Sequence, residues 1–470
     1  MFKSKILFFT VLVLITVKGF SQKLPVVNAS DLKIDIRIGN EFYKGQWNLN
    51  TSLRPDVYDA YVTGTSTPVT FISDRDSIRF DVKPGHSYPF VFVINGKDSA
   101  FTEIKGIKLV PRAVFSNEYK KTHFGKTSVE IPMVYELLNI VFAITETGKK
   151  DNGLIYKDMP YYQEVLKWFE PFAKEPVVQR INAELTNPDD MYHALKMDGY
   201  SFEFSNQGKI EKSKIYNRIG RANVNFLEPF IDDLQTFATK TNFKKFYQDH
   251  SPVYKKQIEI YRDSVGVPVM QKWLTRNFPS TSYESFKIIF SPLVAGNQSA
   301  SWFENNDFHE AQAHVNFPYG IHNSQKKWSK EASFVMAGSI LFTELNHAFI
   351  GPEADKPQYR SRITKAFSDL NIWNEKGKPA ELGYNDPSSS FDEYMNWGLV
   401  SLRYLDYAPK SEQEKLIAGI EKMMVEGRGF KRFAEYNQFL VQLYKNKKQE
   451  QTVADLYPEI VSWFENSATR

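Results

Sequence analysis

A glutamate and a histidine three residues apart close an apolar run that reads Thr343-Glu344-Leu345-Asn346-His347. On a helix, side chains three and four positions apart share a face. In an HExxH helix two histidines at that spacing bind Zn²⁺, and the glutamate between them polarises the metal-bound water. Here the glutamate and the second histidine are present, and Thr343 occupies the first histidine position. A threonine hydroxyl is a poor zinc ligand at neutral pH, so the spacing points to a hydrolase helix with an incomplete ligand set.

A catalytic zinc takes three protein ligands and a water. Two substitutions would restore the number. Glu344 could itself become a ligand, because Glu-x-x-His places both groups on one helix face, as in carboxylate metal sites. Alternatively His309 or His314, on the preceding segment, could supply the missing imidazole. Those two are five apart, one residue too far for a shared helix face. The competing reading treats Glu344 and His347 as polar side chains that hydrogen-bond inside a buried helix and need no ion.

Other chemistries find little support. The chain has no cysteine, which excludes thiol catalysis, thiolate metal sites and disulfides. It has no GxSxG elbow and no Walker-type phosphate loop. Lys244-Lys245 and Lys445-Asn446-Lys447-Lys448 are too short to track a nucleic-acid backbone. The carboxylate pairs Glu353 with Asp355 and Asp189 with Asp190 are of a kind common in loops and do not make a glycosidase. The 37 Phe, 25 Tyr and 8 Trp are either core payload or the lining of a peptide or carbohydrate groove.

Residues Met1 to Ser21 have the layout of a secretory signal: Lys3 and Lys5, an apolar stretch from Ile6 to Val17, and a small-residue site at Gly19-Phe20-Ser21. The mature chain is expected to start at Gln22 and to be secreted or periplasmic. Loss of Lys3, Lys5 and Lys18 with that segment takes the formal charge from +4 to about +1, which removes any global argument for nucleic acid. No later run is long enough to span a membrane.

The elements that must position the motif follow from periodicity. From residue 22 to 112 the pattern has period two, as in Leu32, Ile34, Ile36 and Ile38, in Ile78, Phe80 and Val82, and in Tyr88 to Ile94 before an Asn95-Gly96 turn. This predicts an antiparallel sandwich-like β domain. From 113 to 470 helical spacing dominates: Val134 to Ile144, Tyr162 to Phe169, a helix start at Asn187-Pro188-Asp189-Asp190, and helices across Asn225 to Thr239 and Val253 to Asp263. Phe202 to Phe204 reads as a brief strand. Phe286 to Leu293 reads as a buried strand and Ala311 to Phe317 as a second strand and a candidate edge. Lys330 to Ile350 then reads as the longest apolar helix, carrying the motif. An edge strand beside such a helix is what a zincin uses to align an extended peptide.

At Ile131-Pro132-Met133-Val134-Tyr135-Glu136-Leu137-Leu138-Asn139, Phe290-Ser291-Pro292-Leu293-Val294-Ala295-Gly296-Asn297 and Thr343-Glu344-Leu345-Asn346-His347-Ala348-Phe349-Ile350-Gly351-Pro352, the chain resembles a family of secreted bacterial proteins known only as a domain of unknown function (number 4932). The resemblance runs from about Ile131 to Leu405. It implies a metallopeptidase-like fold with zinc held by two motif histidines and a downstream glutamate. Carried over, His347 and Glu393 would be metal ligands and Glu344 the general base, with a peptide or protein as substrate. Thr343 departs from the family's motif. On residues alone, Glu393 after Ser388-Ser389-Ser390 also suits a helix start, where an acid favours the dipole.

The sequence therefore predicts an α+β protein with a small β domain and a larger, mostly helical zincin-like domain containing a small sheet. Its function is either that of a secreted metallopeptidase-like protein with a degenerate zinc site, or that of a binding or scaffold protein that holds a peptide or glycan without turnover.

Overall fold

Alternating apolar and polar residues in the first hundred positions give eight strands, and a computed structural model shows how they pair. The structure describes residues 24–186, 191–305, 307–319 and 327–469. The expected signal segment and the helix start at Asn187–Asp190 lie outside the described residues. The chain is α+β and divides into two compact units between Val110 and Pro111.

The first unit contains β1 (Val26–Ala29), β2 (Lys33–Ile38), β3 (Glu41–Asn48), β4 (Asp56–Val62), β5 (Thr67–Ile72), β6 (Ser77–Val82), β7 (Ser87–Ile94) and β8 (Asp98–Lys108). They form two four-stranded sheets, β3-β2-β5-β6 and β1-β7-β8-β4. Ile34, Ile36 and Phe71 from one sheet share a core with Phe90, Phe92 and Ile104 from the other, which makes a sandwich. The β7–β8 hairpin turns at Asn95 and Gly96, with φ of 51° and 68°, the left-handed pair that the sequence predicts. The first sheet is antiparallel throughout. In the second, the edge strands β1 and β4 run parallel to β7 and β8. Strand β4 follows β3 of the opposite sheet, so no tight hairpin forces it antiparallel to its neighbour.

In the second unit, β9 (Lys126–Glu130), β12 (Ser285–Ser291), β13 (Ser299–Asn305) and β14 (Phe308–Asn316) form a sheet of order β13-β14-β12-β9, apart from a small hairpin of β10 (Phe202–Phe204) and β11 (Ile210–Lys212). Strand β14 is interior, not an edge. The edge is β13, which pairs antiparallel with β14, while β12 runs parallel to β14 and β9. The sequence reading missed β13 because Ser299-Ala300-Ser301 lacks an apolar alternation.

The helices that matter to the site are α1 (Met133–Ile144), α2 (Ser251–Ser264), α3 (Val267–Asn277), α4 (Lys330–Ala337), α5 (Ser339–Ala354) and α6 (Pro387–Tyr407). The predicted single helix from Lys330 to Ile350 is thus two, α4 and α5, bent by 53°. The break is at Gly338, where an added Cβ would meet Met270 Cε and lie 2.7 Å from the Val265 carbonyl oxygen. Only a residue without a side chain permits that approach. Among the described residues the longest helix is α6. No single helix among the described residues is long and apolar enough to cross a membrane.

Register gives the sheet two chemically distinct buried faces, since side chains alternate along each strand. One face carries Phe286, Ile288, Phe290, Ala311, Ala313 and Val315. It meets α5: Trp302, opposite Ala311, lies about one side-chain contact from Gly351. The other face carries Lys287, Glu310, Gln312 and His314 and meets α1, where the Tyr135 ring lies 5.7 Å from that of His314.

Candidate functional site

Helix α5 brings the motif residues to the α6 side of the fold. Pro352 near its end leaves the Ala348 carbonyl without a helical N–H. Tyr283 fills the gap, donating its hydroxyl to Ala348 O at 2.6 Å. Thr343 is buried and donates to the Ile340 carbonyl at 2.7 Å, so its hydroxyl serves the helix backbone. Its oxygen also lies 3.4 Å from Glu344 Oε1.

Glu393 reaches the same place from α6. The helix starts at Pro387 with Asp386 as its N-cap, accepting from the Ser388 and Ser389 N–H groups. Glu393 therefore sits in the second turn, beyond the reach of the N-terminal dipole. What holds its carboxylate is a ring of donors: Arg428, Trp397 Nε1 at 2.9 Å and Asn396 Nδ2 at 3.0 Å. Arg428 also donates to the Tyr384 hydroxyl at 2.7 Å. Asn396 and Trp397 follow Glu393 by three and four residues, a spacing visible in the sequence. Nothing local in the sequence marks Arg428.

The predicted ligands His347 and Glu393 do come together, with Nε2 and Oε2 3.8 Å apart. Between them stands the Asn396 amide, whose nitrogen lies 3.1 Å from His347 Nε2 and 3.0 Å from Glu393 Oε2. One NH₂ group has two protons, one for each lone pair. The opposite orientation of the amide would set its oxygen against a carboxylate oxygen. This assignment makes His347 a neutral imidazole with its proton on Nδ1.

Electrostatics agree with that state. Burial lowers the His347 pKa, and the Arg221 and Arg428 charges act with it against the pull of Glu393. Burial opposes ionisation of Glu393, but the Arg428 charge and the hydrogen bonds from Arg428 and Asn396 outweigh it and hold the carboxyl below its usual range. Glu344 is pushed up to about 8 by burial and by the charge on Glu393. At neutral pH the pair divides the roles, with Glu393 ionised and Glu344 protonated.

The two histidines considered as replacements are elsewhere. His314 is on the polar face of the sheet, opposite α5, with Nε2 3.2 Å from Gln312 Oε1. Burial, then the Lys196 charge, drives its pKa well down. His309 lies 3.1 Å from Glu284 and 3.5 Å from Glu304. A five-residue separation on a strand puts the two on opposite faces, so at most one could ever have faced the motif.

A zinc ion needs free lone pairs on converging ligands, and these residues as arranged do not provide them. Glu393 accepts from three donors, which take three of its roughly four acceptor sites; His347 Nε2 faces an N–H, burial and Glu393 favour a protonated Glu344, and Thr343 bonds its own helix. Among the described residues no group of three or more His, Cys, Asp or Glu side chains could hold a metal ion. The edge strand β13 has partners of its own: Arg112 donates to the Trp302 carbonyl at 3.2 Å, and the Phe115 N–H donates to the Asn305 side chain at 3.2 Å. What stays accessible is the His347 ring, 24% exposed, the partly exposed Trp302, and the exposed Arg221 whose guanidinium lies 4.1 Å above the Trp302 ring.

Comparisons with protein families, with curated proteins and with solved structures find no match to this chain.

Proposed function

We propose that this chain is an exported, metallopeptidase-like protein that acts by binding a peptide or glycan and does not hydrolyse it. The observation that carries the reading is the Asn396 amide between His347 and Glu393. A donor at that point satisfies both groups as hydrogen-bond acceptors, and each would have to abandon it to ligate a metal. Arg428 supplies the positive charge that a Zn²⁺ ion would otherwise bring to Glu393. The Arg221–Trp302 stack beside the imidazole offers an aromatic face and a cation, groups suited to recognition.

Metal content of the purified full-length chain tests this. Elemental analysis after expression in zinc-supplemented medium is expected to give well under one zinc per chain, and mixed peptide substrates are expected to survive prolonged incubation. Stoichiometric zinc that disappears in His347→Ala and Glu393→Gln would overturn the reading in favour of an altered but working metal centre.

A further inference from the structure

Ten residues beyond Glu393 on α6, about 15 Å along the helix, Arg403 is fully buried. None of its three guanidinium nitrogens has a hydrogen-bond partner among the described residues. Its guanidinium carbon lies 4.8 Å above the Phe342 ring. Burial, which the nearby Tyr404 and Tyr407 hydroxyls oppose, lowers its pKa only to about 10, so the group stays charged at neutral pH. An arginine is almost never buried this deeply without a counter-charge. A single cation–π contact does not offset the loss of hydration and of five N–H bonds.

Arg403 lines a cavity of about 650 Å³ between the end of α2, the start of α3, α4 and α6. Ser333, also on its lining, is buried with a hydroxyl that has no partner among the described residues. Most of the remaining wall is apolar, with Ile260, Val269, Phe334, Val335 and Ala337. Ser264, Tyr407 and three charged residues, Lys330, Glu331 and Asp263, complete the lining. The volume is that of a small-molecule site, apolar with a few polar groups that fix orientation.

We propose that this cavity binds a free, medium-chain carboxylic acid, its carboxylate paired with Arg403 and Ser333 and its alkyl body against the apolar wall. The polar complement selects the head. A planar guanidinium fork matches the two oxygens of a carboxylate, and at the buried end one cation with one hydroxyl balances a monoanion, while the exposed Lys330 shares the lining with the exposed carboxylates of Glu331 and Asp263. A phosphate dianion would be left short of positive charge. The site is separate from the His347 region and does not depend on the reading of that region.

Decanoate is the probe, titrated into the full-length protein by calorimetry and by NMR of ¹³C-labelled acid. Saturable one-to-one binding in the micromolar range is expected, weakened at least tenfold by Arg403→Met and more modestly by Ser333→Ala, with decanol binding at least tenfold more weakly than decanoate. Arg403→Met should also raise the unfolding midpoint of the free protein, since it removes an unpaired buried charge. Should that variant misfold, Arg403→Lys takes its place. It keeps the charge but loses the fork and should still weaken binding. No binding at 1 mM decanoate, equal affinity for decanol, equal affinity in the Arg403 variants, or tighter binding of decyl phosphate would each overturn the proposal. Binding only to phosphatidylglycerol vesicles and not to the free acid would do the same.

Discussion

Replacing Arg428 with methionine removes the counter-charge from a carboxylate that is 3% exposed, while keeping an apolar stem against Tyr384, Trp397 and Phe430. Breaking one partner of a buried ion pair costs about 3–5 kcal/mol. Trp397 and Asn396 still donate to Glu393, so the lower end, about 3 kcal/mol, is expected. Removing both charges should cost less than the sum of the two single changes, with a coupling between Arg428→Met and Glu393→Gln of at least ~2 kcal/mol. Urea unfolding followed by tryptophan fluorescence reads the larger unit, which holds every tryptophan except Trp47. The two units need not melt together, so its transition is fitted separately. The pH dependence should change sign. In the wild type the lowered Glu393 pKa gives stability that is present above its ordinary value of 4.5 and is lost as pH falls through the folded-state value. In Arg428→Met that pKa is expected to lie above 4.5, so ionised Glu393 becomes a liability and stability declines as pH rises. A loss below ~1 kcal/mol, or additive single and double changes, would refute the view that this ion pair holds the site together.

Glu344, raised to about 8, contributes stability that is fully present below its ordinary value of 4.5 and is lost as pH rises towards 8. Glu344→Gln should flatten that part of the profile and melt higher than wild type at pH 9, and a lower melting point there would contradict a protonated Glu344. Gly338→Ala must displace both the Met270 side chain and the Val265 carbonyl, so a loss of about 1–3 kcal/mol is expected in the same urea assay. Asn396→Ala frees one lone pair on His347 and one on Glu393. It is expected to raise zinc affinity measured by competition with a chromophoric chelator, and an unchanged affinity would show that the amide is not what blocks the metal.

Periodicity makes legible those strands of the first unit with clean alternation, at Leu32 to Ile38, Ile78 to Val82 and Tyr88 to Ile94, and the helical stretches of α1 and α2. The bend at Gly338 is not legible, because glycine inside an apolar run gives no hint of the Val265 backbone lying against it. Strand β13 was missed and β14 misplaced as an edge, since pairing order depends on residues far apart in sequence. The meeting of His347 with Glu393 could be anticipated from a helix motif and a downstream acid. Its outcome could not, because Arg428 arrives from a turn 35 residues later and Asn396 looks like any polar residue on a helix.

The hydrogen bonds around Glu393 also bear on how such a pocket could be re-engineered. Installing histidine at position 343 supplies one imidazole but leaves the carboxylate occupied and the neighbouring ring facing an amide. Clearing Asn396 alone strands two acceptors, and clearing Arg428 alone strands a charge. A designer would therefore have to alter position 343, Asn396 and Arg428 together, trading the hydrogen-bonded ion pair for the ligand set as one unit.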